Sequence, residues 1–217
     1  MKRLFFVVEG QTEEEFVNQI IAPYFRGKGI YDVRATMIST SKGHKGGFVN
    51  YAHLKNDILR LLKEKEVVVT TFVDFFRLPN SIPKYNILSK IRDKNERVMQ
   101  YETAIWSDIK DRRFIPYIQL HEFEALLFSS IKGFQTYYES EKGVIKSLSN
   151  ITKAFPNPEE INSTQPPSYR IKAIVPTYDK VVFGNTIALE IGIETMLKKC
   201  PKFKSWIAYL IQKCSEI

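Results

Sequence analysis

Leu4-Phe5-Phe6-Val7-Val8-Glu9-Gly10-Gln11-Thr12-Glu13-Glu14-Glu15 begins as a compact apolar run, stops at a Glu-Gly pair and gives way to acidic, helix-favouring residues. Five consecutive apolar residues suit a strand covered on both faces, and Gly10 marks the turn that ends it. Thr12 and Glu15, three positions apart, have the spacing of a capping box, in which hydroxyl and carboxylate satisfy each other's backbone amides. Phe16, Ile20, Ile21 and Tyr24 then recur on one helical face. The reading is strand, tight turn, helix, with Glu9 at the carboxyl end of the strand.

The same alternation continues outward. Residues 33–38 read as a second strand, and residues 39–47, Ser-Thr-Ser-Lys-Gly-His-Lys-Gly-Gly, are too polar and glycine-rich for regular structure, so a flexible loop is expected. Tyr51, Leu54, Ile58, Leu61 and Leu62 mark an amphipathic helix, and residues 67–73 carry the strongest strand signal, ending at Asp74. A polar helix is expected over 86–108, a strand over 114–120 and a helical turn over 121–128. Beyond residue 140 Pro156, Pro158, Pro166, Pro167 and Pro176 break the chain into short pieces before a final helix over about 201–213. The expected organisation is an α/β core over 1–140 and a C-terminal elaboration over 141–217 packed on the same domain.

Strands alternating with helices imply right-handed crossovers and a mainly parallel sheet with helices on both faces. All strand carboxyl ends of such a sheet lie along one edge, where ligands bind. Glu9, Asp74 and the His121-Glu122 pair each follow an expected strand, so distant parts of the chain are expected to meet on one rim.

The 217 residues are enough to bury a full core. The apolar run after Met1-Lys2-Arg3 is too short for a signal peptide or a membrane span. Cys200 and Cys214 lack CxxC spacing and are expected to stay reduced, which places the chain in the cytoplasm. Thirty-two Lys and Arg against 24 Asp and Glu leave a net charge of +8, which favours polyanionic partners. Residues 141–217 carry 11 basic and 7 acidic side chains, so no basic tail explains the excess. Charge alone leaves a soluble basic protein without a nucleic-acid partner equally open.

Mg²⁺ (or Mn²⁺) takes oxygen ligands, keeps several waters, and accepts one or two carboxylates plus substrate phosphate. Glu9 and Asp74 are the leading candidates, although a carboxylate at a strand end can also cap a helix or join an ion pair. Were residues 121–128 helical, His121 and Glu124 would share a face and Glu122 would turn about 200° from Glu124, so one glutamate would reach the rim. Ala125 stands where an HExxH motif needs its second histidine, which excludes a zincin. His121 can act in catalysis or hold a neighbouring group in place. Lys42, His44 and Lys45 lie among glycines in a loop that can close over phosphate or stay solvated; it holds neither GxxxxGK[ST] nor GxGxxG.

Residues 8–14 (Val-Glu-Gly-Gln-Thr-Glu-Glu), Val69 to Asp74 with Leu78-Pro79, residues 114–128 and Asn157-Pro158-Glu159-Glu160-Ile161-Asn162 together resemble the bacterial domain-of-unknown-function family 4276 over nearly the whole chain. That family is similar to the TOPRIM domains of topoisomerases, primases and overcoming-lysogenization-defect nucleases. The resemblance implies a TOPRIM-like fold and a Mg²⁺-dependent phosphoryl-transfer site, with a glutamate after the first strand and an Asp-x-Asp after a later one. Glu9 and Asp74 match the first two carboxylates. Phe76 replaces the second aspartate, leaving Glu122 or Glu124 to complete the site, and Glu122 is taken with Glu9 and Asp74 as the metal set. Pro167-Ser168-Tyr169-Arg170 and Tyr178-Asp179-Lys180 also resemble family segments and make Arg170 and Lys180, with Lys42, candidate phosphate ligands. By the same resemblance the chain is expected to be a nuclease or phosphoesterase beside an ATPase partner in phage defence, or else a non-catalytic subunit that kept the shape.

Overall fold

The computed structural model describes residues 2–41, 44–76, 78–161 and 165–216, without the side chains of 41, 44 and 45. β1 (Arg3–Val8) leads into α1 (Gln11–Phe16), which continues through a π-helical turn, Val17–Ile21, into α2 (Ala22–Arg26). β2 (Asp32–Met37) follows, then the short strands β3 (Ser39–Ser41) and β4 (His44–Lys45), then α3 (Tyr51–Leu61) and β5 (Val67–Asp74). α4 (Tyr85–Leu88) and α5 (Lys94–Ile109) precede β6 (Phe114–Ile115) and β7 (Ile118–Gln119). After a 3₁₀ helix, Phe123–Ser129, the remainder is helical: α6 (Lys132–Tyr138), α7 (Lys142–Ala154), α8 (Pro167–Ile174), α9 (Asn185–Ile191), α10 (Ile193–Lys199) and α11 (Pro201–Ser215).

β2, β1, β5 and β6 lie side by side in that order, β7 also pairs with β5, and each of these pairings is parallel. The fold class expected above is the one observed, a mainly parallel sheet with helices on both faces and a helical C-terminal part. Alternation within β1 shows how the two faces are covered. Leu4, Phe6 and Val8 join a core with Phe16, Ile20, Phe203 and Trp206, while Phe5 and Val7 join another with Leu54, Ile58, Val98 and Tyr101. A strand buried on both sides has no room for polar alternation, hence its unbroken apolar run.

Four local expectations are corrected. Thr12 and Glu15 form no capping box: α1 starts two residues earlier, Gly10 is its cap without a side-chain bond, and Glu15 bonds Gln11 and Asn185 instead. Residues 39–45 contain the antiparallel β3–β4 pair rather than only irregular loop. The expected helix over 86–108 is two, divided before Asp93, whose carboxylate accepts from the Glu96 amide at 2.7 Å and caps α5.

The strand expected over 114–120 is broken at Pro116-Tyr117, because proline cannot donate to a ladder. Threonines of β5 repair the gap. Thr71 Oγ1 accepts from the Tyr117 amide at 2.8 Å and lies 2.8 Å from its carbonyl, and Thr70 Oγ1 donates to the Ile115 carbonyl at 2.6 Å. Trp206 of α11 donates its indole N–H to Thr70 Oγ1 at 2.9 Å and stacks on Tyr117 with ring centroids 3.9 Å apart. The C-terminal helix is thereby tied to the middle of the sheet.

Candidate active site

β1 and β5 are adjacent and parallel, with Val8 beside Phe72, so Glu9 and Asp74 emerge at neighbouring strand ends. The Asp74 amide lies 3.4 Å from Glu9 Oε2. Segment 46–48 covers Glu9 from the other side: Gly47 donates to its carbonyl at 2.7 Å, and the Phe48 amide bonds its carboxylate. Gly46 and Gly47 have φ of +98° and +82°, values that glycine reaches without the penalty of a side chain.

Glu13 enters from the first turn of α1 and is buried, as is Glu124 from the 3₁₀ helix. Lys180 comes from the C-terminal part, where the Asp179 carboxylate caps the following turn by accepting from the Val181 and Val182 amides. Asn185 bonds the Thr12 carbonyl at 3.0 Å and fastens that part to α1. The Lys180 ammonium lies 2.7 Å from Glu13 Oε1, 3.4 Å from Asp74 Oδ2 and 3.7 Å from Glu124 Oε2. Among the described residues the buried Asp74 Oδ1 has no hydrogen-bond partner.

Electrostatics follow from this crowding. Burial raises the Asp74 carboxyl well above its usual range, with the Glu13, Glu9 and Glu124 charges adding and Lys180 opposing. Glu9 is raised by burial and by Glu13, and Glu124 by burial and by Glu122 and Glu13, each against Lys180. Burial alone would lower Lys180, but Asp74, Glu124 and Glu13 outweigh it and hold the ammonium charged. Among the described residues, four carboxyls against one ammonium would, fully ionised, leave three uncompensated negative charges.

Of the residues singled out in the sequence, Glu9, Asp74, Glu124 and Lys180 are brought together. Glu122 is not, because it stands in extended backbone ahead of the 3₁₀ helix and accepts from the Ser168 amide at 2.9 Å and its hydroxyl at 3.0 Å, at the start of α8. His121 has a left-handed φ of +65°, so the helical-wheel relation expected for 121–124 does not hold. Its imidazole lines a separate cavity with Lys94, Leu120 and Glu159, and burial, with Lys94 adding, pushes it down to about 4. Arg170 bonds the Gln165 carbonyl at 2.9 Å and lies over the Phe155 ring. Lys42 falls outside the described residues. Phe76, in the place of a second aspartate, is partly exposed at 38%.

Glu13 escaped the sequence reading, which assigned the acidic run to helix capping. A signal was present: Glu13, Phe16, Val17 and Ile20 form an i, i+3, i+4, i+7 stripe, and all four are buried. A glutamate on an apolar stripe needs a partner.

Among the described residues no three His, Cys, Asp or Glu side chains form a ready-made metal cage. The donors nonetheless suit a hard cation that keeps most of its waters: Glu9 and Asp74 are all-oxygen ligands at neighbouring strand ends, and Asp74 Oδ1 has no partner among the described residues. A larger cavity of about 710 Å³ lies between α5 and α11, walled by Met99, Trp106 and Tyr209 among others, and shares no residue with the cluster. Cys200 and Cys214 are both free and buried. Among the described residues no helix is long and apolar enough to cross a membrane.

The C-terminal region of the Burkholderia pseudomallei OLD protein is similar in fold, with a TM-score of 0.51 at 14% identity over 99% of each chain. The corresponding region of the Xanthomonas campestris pv. campestris OLD protein gives 0.49 at 14% identity, covering 100% of this chain and 96% of that one. Among curated proteins none matches in sequence. The model of the domain of unknown function DUF4276 matches residues 8–211, and the chain belongs to that family.

Proposed function

We propose that the chain is a nuclease or related phosphoesterase that acts on nucleic acid with Mg²⁺ or Mn²⁺. One observation carries the reading: the half-buried Glu9 after β1 and the buried Glu13, Asp74 and Glu124 of α1, β5 and the 3₁₀ helix converge at the strand carboxyl ends, in excess over Lys180, the one ammonium placed among them by the described residues. Carboxyls perturbed by burial and by one another, gathered at a sheet edge, are a feature of functional sites. Glu9 and Asp74 would hold the cation, and Glu13 and Glu124 would orient its waters. Bound there, it would stabilise charge on the phosphate oxygens and lower the pKa of a water nucleophile. Lys180 would bear on the phosphate, and the net charge of +8 draws the polyanion in. Partnership with an ATPase in phage defence belongs to the same reading, through the family resemblance.

Phe76, where a second aspartate is expected, favours the other reading, a non-catalytic binding subunit. Single-stranded and duplex DNA and RNA incubated with the chain in Mg²⁺ or Mn²⁺ separate the two. Cleavage that a chelator abolishes is the expected result. Intact substrates under every metal would leave the binding subunit.

A further inference from the structure

We infer that Lys180 is a built-in counter-ion, occupying the cation position of the carboxylate cluster and leaving it for the phosphate when Mg²⁺ or Mn²⁺ enters. The inference rests on the metal-dependent reading of the same site. Its ground is the ammonium's position. Nζ is within 4 Å of carboxylates on three elements that are all remote from it in sequence: Glu13, Asp74 and Glu124.

A divalent cation held by Glu9 and Asp74, with its waters turned to Glu13 and Glu124, would draw on the same Asp74, Glu13 and Glu124 carboxylates that the ammonium now contacts. Liganded to Asp74 at about 2.0–2.1 Å, it would sit within a few Å of an ammonium that is now 3.4 Å from Oδ2. Three positive charges held that close, with little water between them, repel strongly. The ion and the ammonium therefore exchange rather than share.

Lys180 is built for the exchange. Its backbone is fixed by the Asp179 cap, whereas its unbranched stem has four rotatable carbons and its side chain is 30% exposed, so it stands at the mouth. Swinging outward leaves the ammonium beside the cation, where an arriving phosphate would lie between the two charges. Until the metal is present, the same lysine stays bound to the carboxylates and is withheld from substrate. Metal loading and phosphate binding are thus coupled through one side chain.

Two measurements test this. Mn²⁺ is titrated calorimetrically into the wild type and Lys180→Met, which keeps the length and removes the charge. Separately, acetylation of Lys180 in the wild type is followed by mass spectrometry with and without Mn²⁺. Expected are Mn²⁺ affinity raised about tenfold or more in the variant, from removal of a like charge, and faster acetylation of Lys180 in the metal-loaded wild type. A folded variant that binds Mn²⁺ no more tightly, or labelling that Mn²⁺ does not accelerate, overturns the exchange while leaving the metal site standing. Should Lys180→Met fail to fold, the labelling decides alone. A wild type that takes up no Mn²⁺ overturns the metal-dependent reading and this inference together.

Discussion

Asp74 and Lys180 are 106 positions apart in the chain, and their side chains meet at 3.4 Å. The first is delivered by the central strand β5, the second by a turn in the helical C-terminal part, and Trp206 and Asn185 secure that part to the sheet and to α1. The ion pair therefore depends on the whole fold being assembled. Neither residue's local sequence calls for the other.

Glu122 and Glu124, two residues apart, are expected to behave oppositely. Glu122→Ala removes the acceptor for the Ser168 amide and hydroxyl and should cost about 1–2 kcal/mol of stability, the range for a lost helix cap. Its Mn²⁺ affinity should stay that of the wild type. Glu124→Gln should weaken Mn²⁺ binding with little loss of stability. Thermal melts and metal titrations on both variants decide it, and a stable Glu122→Ala that cannot bind metal would restore Glu122 to the site.

The fold was legible because its strands are apolar throughout: residues 4–8 and 67–73 admit few readings, and each ends in a carboxylate that the parallel arrangement places on one rim. The site was legible only to the extent that it follows from this rule. Glu9 and Asp74 come directly from strand ends. His121 and Glu122 obey the same rule and yet turn away, because a left-handed residue ahead of the 3₁₀ helix redirects the chain, and no helical period predicts a positive φ at histidine. Lys180 came from family resemblance, since nothing in Tyr178-Asp179-Lys180 indicates a contact with β5.

Nucleic-acid affinity should fall steeply with salt, because lysines and arginines that neutralise phosphates release counterions on association. Fluorescence anisotropy of a labelled oligonucleotide, measured between about 50 and 300 mM salt, should give a straight line of negative slope in log Kd against log salt. Affinity indifferent to salt, or absent at the lowest, would remove nucleic acid as a partner.

His121 should make the protein acid-sensitive. Its imidazole is pushed down to about 4 by burial, with Lys94 adding, against about 6.5 in an unfolded chain. Between those values the unfolded state takes up a proton that the folded state refuses, so this residue's stabilising contribution is present above about 6.5 and is lost as pH falls toward 4. Glu9, Asp74 and Glu124, raised by burial, contribute the opposite trend, which cancels when a variant is compared with the wild type. His121→Asn suits that comparison, since asparagine tolerates a φ of +65°. From pH 7 to 4 the wild type should lose on the order of 2 kcal/mol more than the variant in denaturant unfolding. Parallel pH profiles would show that the imidazole is not held neutral.

Asp74→Asn should separate binding from turnover. The amide keeps the size of the carboxyl and can still face Lys180, but it lacks the charge that holds a divalent cation. It also relieves a crowded cluster of one buried carboxyl, so the variant should fold and melt no lower than the wild type. If the cation supplies the transition-state electrostatics, its loss should slow cleavage at least about a hundredfold, on the order of 3 kcal/mol or more. Affinity for the oligonucleotide, carried by surface lysines and arginines, should stay within a few-fold of the wild type. Single-turnover cleavage in Mg²⁺ and Mn²⁺, read beside anisotropy on the same preparations, gives both quantities. Undiminished cleavage would remove Asp74 from the metal site, and a parallel loss of binding and cleavage would mean that Asp74 supports the nucleic-acid surface rather than the chemistry.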